Sequence, residues 1–87
     1  MVTERMVEEF GTEDLLGLLQ ELFGLPADTL APTTTFDEIG LDSLALMELG
    51  AVLEERTGVE LGSRLDQIPR SEPMDQVAQT IAGLLPR

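Results

Sequence analysis

Residues 36–55 read FDEIGLDSLALMELGAVLEE, and this stretch decides the fold. Phe36, Ile39 and Leu41 are apolar anchors in a loop that tightens at Gly40. The dipeptide Asp42-Ser43 then opens a helix, predicted over 43–57 and stopped by Gly58. Leu46, Leu49, Gly50, Leu53 and Thr57 fall on one stripe of that helix. Leu44, Met47 and Ala51 form a second stripe, about 100° away by the rotation per residue. One stripe suffices for the core of a small bundle, so the second is expected to stay partly exposed. Serine and aspartate are both good N-caps. Asp42 already offers a capping carboxylate, so Ser43 is not needed as the cap. Large apolar neighbours, Leu41 and Leu44, flank it where solvent-facing residues would be expected.

On the N-terminal side, Thr12 starts a helix predicted over 12–23. Glu13 and Asp14 lie in its first turn, where carboxylates favour the positive end of the dipole. Leu15, Leu18, Leu19 and Leu22 recur at helical spacing, widened by Leu16 and Phe23. Gly24 and then Pro26 end it. Residues 1–11 read as an extension, helical in part, with Thr3 as a cap and Met6, Val7 and Phe10 on one side. Residues 24–42 make a long connection marked by Pro26, Pro32 and Thr33-Thr34-Thr35. Its apolar residues Leu25, Leu30, Phe36, Ile39 and Leu41 can pin it to a helical core. Such a loop suits first and second helices that run roughly parallel.

On the C-terminal side, Val59 and Leu61 make a short apolar return. Leu65 and Ile68 suggest one helical turn near 65–69, stopped by Pro69. A last helix is predicted over 72–85, capped by Ser71, with Met74, Val77, Ala78, Ile81, Leu84 and Leu85 inward. No strand is predicted. The fold class is therefore all-α, a small four-helix bundle with one short member, in a single domain over 12–87.

The chain has 87 residues, enough for one small core. Its 17 acidic residues against 5 arginines give a net charge of −12. Such a surface repels phosphate backbones, so nucleic acid is not an expected partner, and basic protein patches are. No apolar run is long enough to span a bilayer. The N-terminus lacks the pattern of a signal peptide. A cytoplasmic monomer is the expectation. Histidine, cysteine, lysine, tyrosine and tryptophan are absent. Those residue types supply most general bases, covalent nucleophiles and soft metal ligands. A serine hydrolase here would lack its activating base, so the chain is not expected to be an enzyme. Asp37 and Glu48 have the spacing of the outer ligands of an EF-hand. Ile39 and Leu41 occupy the ligand positions between them, and Asp42 stands where the turn needs glycine, so no metal site is expected.

The run DEIGLDSLALMEL resembles the prosthetic-group attachment site of acyl carrier proteins, with its Gly-x-Asp-Ser-Leu core. The similarity extends over about residues 12–85 in the order of helices, loop and acidic positions. The wording Asp-Ser-Leu-Ala-Leu-Met-Glu is similar to freestanding carriers of type II polyketide synthases. The resemblance implies that a phosphopantetheinyl transferase moves 4′-phosphopantetheine from coenzyme A onto Ser43, with Asp42 contacting basic groups of the transferase. The arm's thiol then carries acyl groups as thioesters. It also implies that Leu44, Met47, Glu48, Ala51, Glu54 and Glu55 meet basic patches on ketosynthase, acyltransferase and other biosynthetic enzymes. Taken without the resemblance, those glutamates read as a solvated helix surface. The initial methionine and the end just past the last helix are expected of a freestanding protein. Two alternatives remain open: a peptidyl or aryl carrier of nonribosomal peptide synthesis, and an acidic helical adaptor that has no prosthetic group.

Overall fold

The computed structural model describes residues 10–62 and 64–85. Among the described residues are three α-helices: α1 (Thr12–Phe23), α2 (Ser43–Thr57) and α3 (Met74–Leu84). Two single 3-10 turns, Ala27–Thr29 and Leu65–Gln67, lie in the connections. Among the described residues there is no strand, only an isolated antiparallel bridge between Thr35 and Pro73. The helix expected within residues 1–9 lies outside the described residues. Phe10 is buried against the core.

The first two helices begin and end where sequence places them. In α1 the Asp14 carboxylate accepts the Gly11 amide at 3.0 Å, which satisfies one of the free donors of the first turn. Gly24 and Gly58 close α1 and α2 in the left-handed conformation. The buried residues of α2 are Leu46, Leu49, Gly50, Leu53 and Thr57, the stripe expected to face inward. α1 packs against α3 and α2, and the second 3-10 turn packs against α2. Leu15, Leu19, Phe36, Leu49, Leu53, Met74, Val77 and Ile81 are each fully enclosed in the resulting core. Arg56 pairs with Glu21 at 2.6 Å across the α1–α2 contact. Glu21 is exposed and Arg56 half-buried, so solvent still screens the pair and it adds little to stability.

The last helix differs from expectation. It starts at Met74, not at residue 72, and neither Ser71 nor any other side chain caps it. Its first amides instead meet carbonyls of the long loop: the Met74 N–H donates to Thr34 O at 2.8 Å, and the Asp75 N–H to Pro32 O at 2.9 Å. The free donors of a helix start need some partner, and here the chain some forty residues earlier supplies it. That tie also holds the loop against α3, which leaves its other end at the start of α2.

The middle of the loop closes on itself. The Thr35 N–H donates to Glu38 Oε1 at 2.8 Å, and the Glu38 N–H to Thr35 Oγ1 at 3.2 Å. This is the reciprocal pattern of a capping box, used here to seal a turn. The Gly40 N–H donates to Asp37 O and the Leu41 N–H to Phe36 O. Gly40 takes a φ of 73° to complete that closure, a conformation that side chains disfavour. Phe36 and Leu41 thus enter the core from a sealed turn, and Ile39 packs partly against it.

Candidate functional site

The site is the mouth of α2. Asp42 is its N-cap, and its Oδ1 accepts the Ala45 N–H at 3.0 Å. Ser43 is therefore the first helical residue, and it is exposed. Its hydroxyl is not committed to capping. Asp42→Ala is expected to lower stability by about 1 kcal/mol, measured as a shift in the urea midpoint at unchanged slope. No loss at all would show that the cap is dispensable.

Arg70 completes the mouth from another part of the chain. Its Nη1 lies 3.4 Å from Ser43 Oγ, and its Nε lies 4.0 Å from an Asp37 carboxylate oxygen. Its own carbonyl accepts the Asp37 N–H at 3.1 Å. The sealed turn therefore fixes both Asp37 and the backbone of Arg70 beside Ser43. Sequence reading passed over Arg70, and weighed Asp37 only as a calcium ligand. Arg70 stands between Pro69 and Ser71 in a connection, 27 positions from Ser43, and no local pattern marks it.

Beyond the mouth, α2 presents Leu44 and Met47, which are 64% and 58% exposed. Among the described residues these are the large hydrophobic side chains left exposed. Ala51, Glu48 and Glu55 are exposed as well. The second stripe thus lies in solvent, as its angle from the first requires. An apolar pair bordered by acidic residues can meet a partner that has an apolar centre and a basic rim.

Glu54 stands apart from its neighbours. Its Oε2 accepts the Leu61 N–H at 2.7 Å and the Gly62 N–H at 2.8 Å. The carboxylate thus holds the turn that follows α2, a duty not visible from helical spacing. The Gly62 and Leu61 amides, in that order, lower its pKa below the ordinary glutamate value, against a smaller desolvation effect. A lowered pKa means that the carboxylate contributes stability above its unfolded pKa, lost as pH falls through the folded one. Glu54→Gln is expected to lower Tm at pH 7 and to narrow that gap as pH drops below the ordinary glutamate range. A gap constant across that range would remove the assigned role.

Among the described residues no three carboxylates are grouped to hold a metal ion. No helix there is long and apolar enough to cross a membrane. What the mouth offers is an exposed primary hydroxyl, a neighbouring cation and an adjacent apolar face.

Comparison with known proteins gives the family. Residues 13–68 match the family described as the phosphopantetheine attachment site. The chain is 31% identical to the mitochondrial acyl carrier protein of Dictyostelium discoideum, over 97% of this chain and 72% of that protein. This chain belongs to the acyl carrier protein family. The family's cofactor is 4′-phosphopantetheine, covalently attached. The carrier is also 40% identical over 50 residues to orsellinic acid synthase of Emericella nidulans. It is 50% identical over 38 residues to the non-reducing polyketide synthase men2 of Menisporopsis theobromae. Those matches cover 58% and 44% of the carrier but 2% of each synthase. No solved structure matches the carrier at comparable stringency.

The mouth of α2 fits the cofactor. A phosphodiester needs an accessible hydroxyl to bond to, and Ser43 supplies one. An anion there would meet the positive end of the helix dipole, worth about 0.3–1 kcal/mol, and the Arg70 guanidinium. Asp42 opposes it by charge, although one of its oxygens is already engaged by Ala45.

Proposed function

We propose that the carrier is phosphopantetheinylated on Ser43 and conveys acyl or polyketide intermediates as thioesters between biosynthetic enzymes. The observation that carries this reading is the division of labour at the α2 mouth. Asp42 caps the helix, while the exposed Ser43 hydroxyl serves no packing or capping need. In the attachment step, Ser43 Oγ attacks the β-phosphorus of coenzyme A. The Oγ–P bond forms and the pyrophosphate P–O bond breaks. Adenosine 3′,5′-bisphosphate leaves, and the hydroxyl proton passes to a base of the transferase. The prosthetic group then supplies the thiol that this sequence lacks. The protein contributes a tether and a surface, which raise the substrate's effective concentration at each partner. The carrier itself performs no bond chemistry on its cargo.

Partner recognition is assigned to Leu44, Met47, Glu48, Ala51 and Glu55, next to the attachment point. Methionine suits a face that meets several partners, since its side chain adapts its shape. Basic patches on transferase, ketosynthase and acyltransferase are the complementary surfaces for a chain of net charge −12. The helices α1, α2 and α3 with the turn at Leu65–Gln67 support a carrier-type four-helix bundle in which that turn is the short member. The local likeness to polyketide synthases favours polyketide cargo, and the Asp-Ser-Leu-Ala-Leu-Met-Glu wording a type II carrier.

The test is intact-mass measurement after incubation with coenzyme A and a broad-specificity phosphopantetheinyl transferase. A gain of one phosphopantetheine is expected. An unchanged mass would leave the acidic adaptor as the better reading. Loading of the modified chain with malonyl, longer acyl and aminoacyl donors then separates polyketide, fatty-acid and peptide use. Efficient loading by aminoacyl donors alone would overturn the polyketide assignment.

A further inference from the structure

We propose that Arg70 is a positioning residue for the prosthetic group. Once Ser43 carries a phosphodiester, the Arg70 guanidinium exchanges Asp37 for the charged phosphate oxygens. The proposal rests on Ser43 being the point of attachment.

The electrostatics motivate it. Attachment adds an anion to a chain that already carries −12, next to the Asp42 carboxylate. Three arginines lie among the described residues. Arg56 is paired with Glu21 at the α1–α2 contact. Arg64 lies on the turn that follows α2. Arg70 is the one of these three that reaches Ser43 Oγ, at 3.4 Å.

The guanidinium is also underused. It carries five N–H donors in a rigid fork. At present one of them makes a long contact to Ser43 Oγ at 3.4 Å. The Asp37 carboxylate, at 4.0 Å, is beyond hydrogen-bond reach. The two side chains are 45% and 64% exposed, so solvent screens their attraction and the pair is readily given up. A phosphodiester bonded to Oγ brings its charged oxygens within two bonds of an atom the guanidinium already touches. Arginine binds such oxygens with two parallel hydrogen bonds, which a lysine point charge does not reproduce. The backbone needs no movement, because the Arg70 carbonyl is held by the Asp37 N–H. Only the side chain changes partner. The consequence is a phosphate held close to the protein, so that the first bonds of the flexible arm leave the α2 mouth in a restricted direction.

Two measurements test this on the full chain. The first follows the arginine Nε–H signals of the wild-type protein by nitrogen–proton NMR, before and after modification. The Arg70 signal is expected to shift while those of Arg56 and Arg64 stay in place, and the shift should fade at 1 M salt, where the Debye length falls to about 3 Å. An Arg70 signal that does not move on modification overturns the proposal. The second compares the apo-to-holo change in Tm for wild type, Arg70→Gln and Arg70→Lys. The change is expected to be more negative by about 3 °C in Arg70→Gln at low salt, with partial recovery in Arg70→Lys. Equal changes in wild type and Arg70→Gln overturn it. Intact mass separates the two ideas: no mass gain in the wild-type protein defeats attachment itself. A full gain with an unmoved Arg70 signal defeats only the role of Arg70.

Discussion

Ser43→Ala is expected to abolish prosthetic-group attachment and to leave the fold intact. Attachment requires a hydroxyl oxygen at that position, and alanine has none, so no slower route through the same site remains. Stability should change by less than about 0.5 kcal/mol, as for an exposed residue outside any network. Three observations support that figure. Asp42, not Ser43, accepts the first-turn amide of Ala45. Alanine is the best helix former at an exposed helical position. The substitution removes only the approach of Arg70 to the hydroxyl, which at 3.4 Å is too long to count for much. Intact mass after transferase treatment and a thermal melt of the same sample check both halves. A mass gain that survives the substitution would move attachment to another residue. A large drop in Tm with attachment abolished would make Ser43 structural, and its failure to be modified would then say nothing about chemistry.

Phe36→Ala is expected to have the largest effect on the fold. Phe36 is fully buried although it lies in a loop, where most residues are exposed. Truncating a buried phenylalanine costs about 3–5 kcal/mol, partly in transfer energy and partly in the cavity left behind. A domain of this length has about 5–15 kcal/mol in total. The substitution thus removes a large share of it, and Tm should fall by more than about 12 °C. Function should suffer with it. Phe36 anchors the turn whose hydrogen bonds end at Leu41, directly before the Asp42 cap. Loosening that anchor frees the α2 mouth, so attachment to Ser43 should slow even at temperatures where the variant is folded. A loss below about 1 kcal/mol would mean that the loop is held by its ties to α3 and not by this side chain.

Much of this was legible from residue order. The bounds of α1 and α2 follow from capping residues, apolar spacing and terminal glycines, all of which act within one or two turns of chain. The division of α2 into a buried and an exposed stripe follows from the same rotation. Leu44 and Met47 are exposed because a bundle this small encloses one face of the helix and not two. The Asp42 cap is equally local, since donor and acceptor are three residues apart.

The start of α3 was not legible. Ser71 looks like a cap, and the helix ignores it, because the Thr34 and Pro32 carbonyls arrive from the far side of the loop and take the Met74 and Asp75 amides. Glu54 was placed with the docking glutamates by the resemblance to carrier proteins. Its carboxylate turns to the Leu61 and Gly62 amides, whose position depends on how the chain bends after Gly58.

The sequence by itself determined an all-helical chain, an exposed apolar and acidic face on α2, and a serine left free by its neighbour's cap. Each is set by interactions between residues close in the chain. Only the tertiary structure decided that Arg70 stands beside Ser43 and that the long loop caps α3. Those contacts join segments tens of residues apart. They form only because burying Phe36 and Leu41 draws the loop onto the core, and no local propensity encodes that approach.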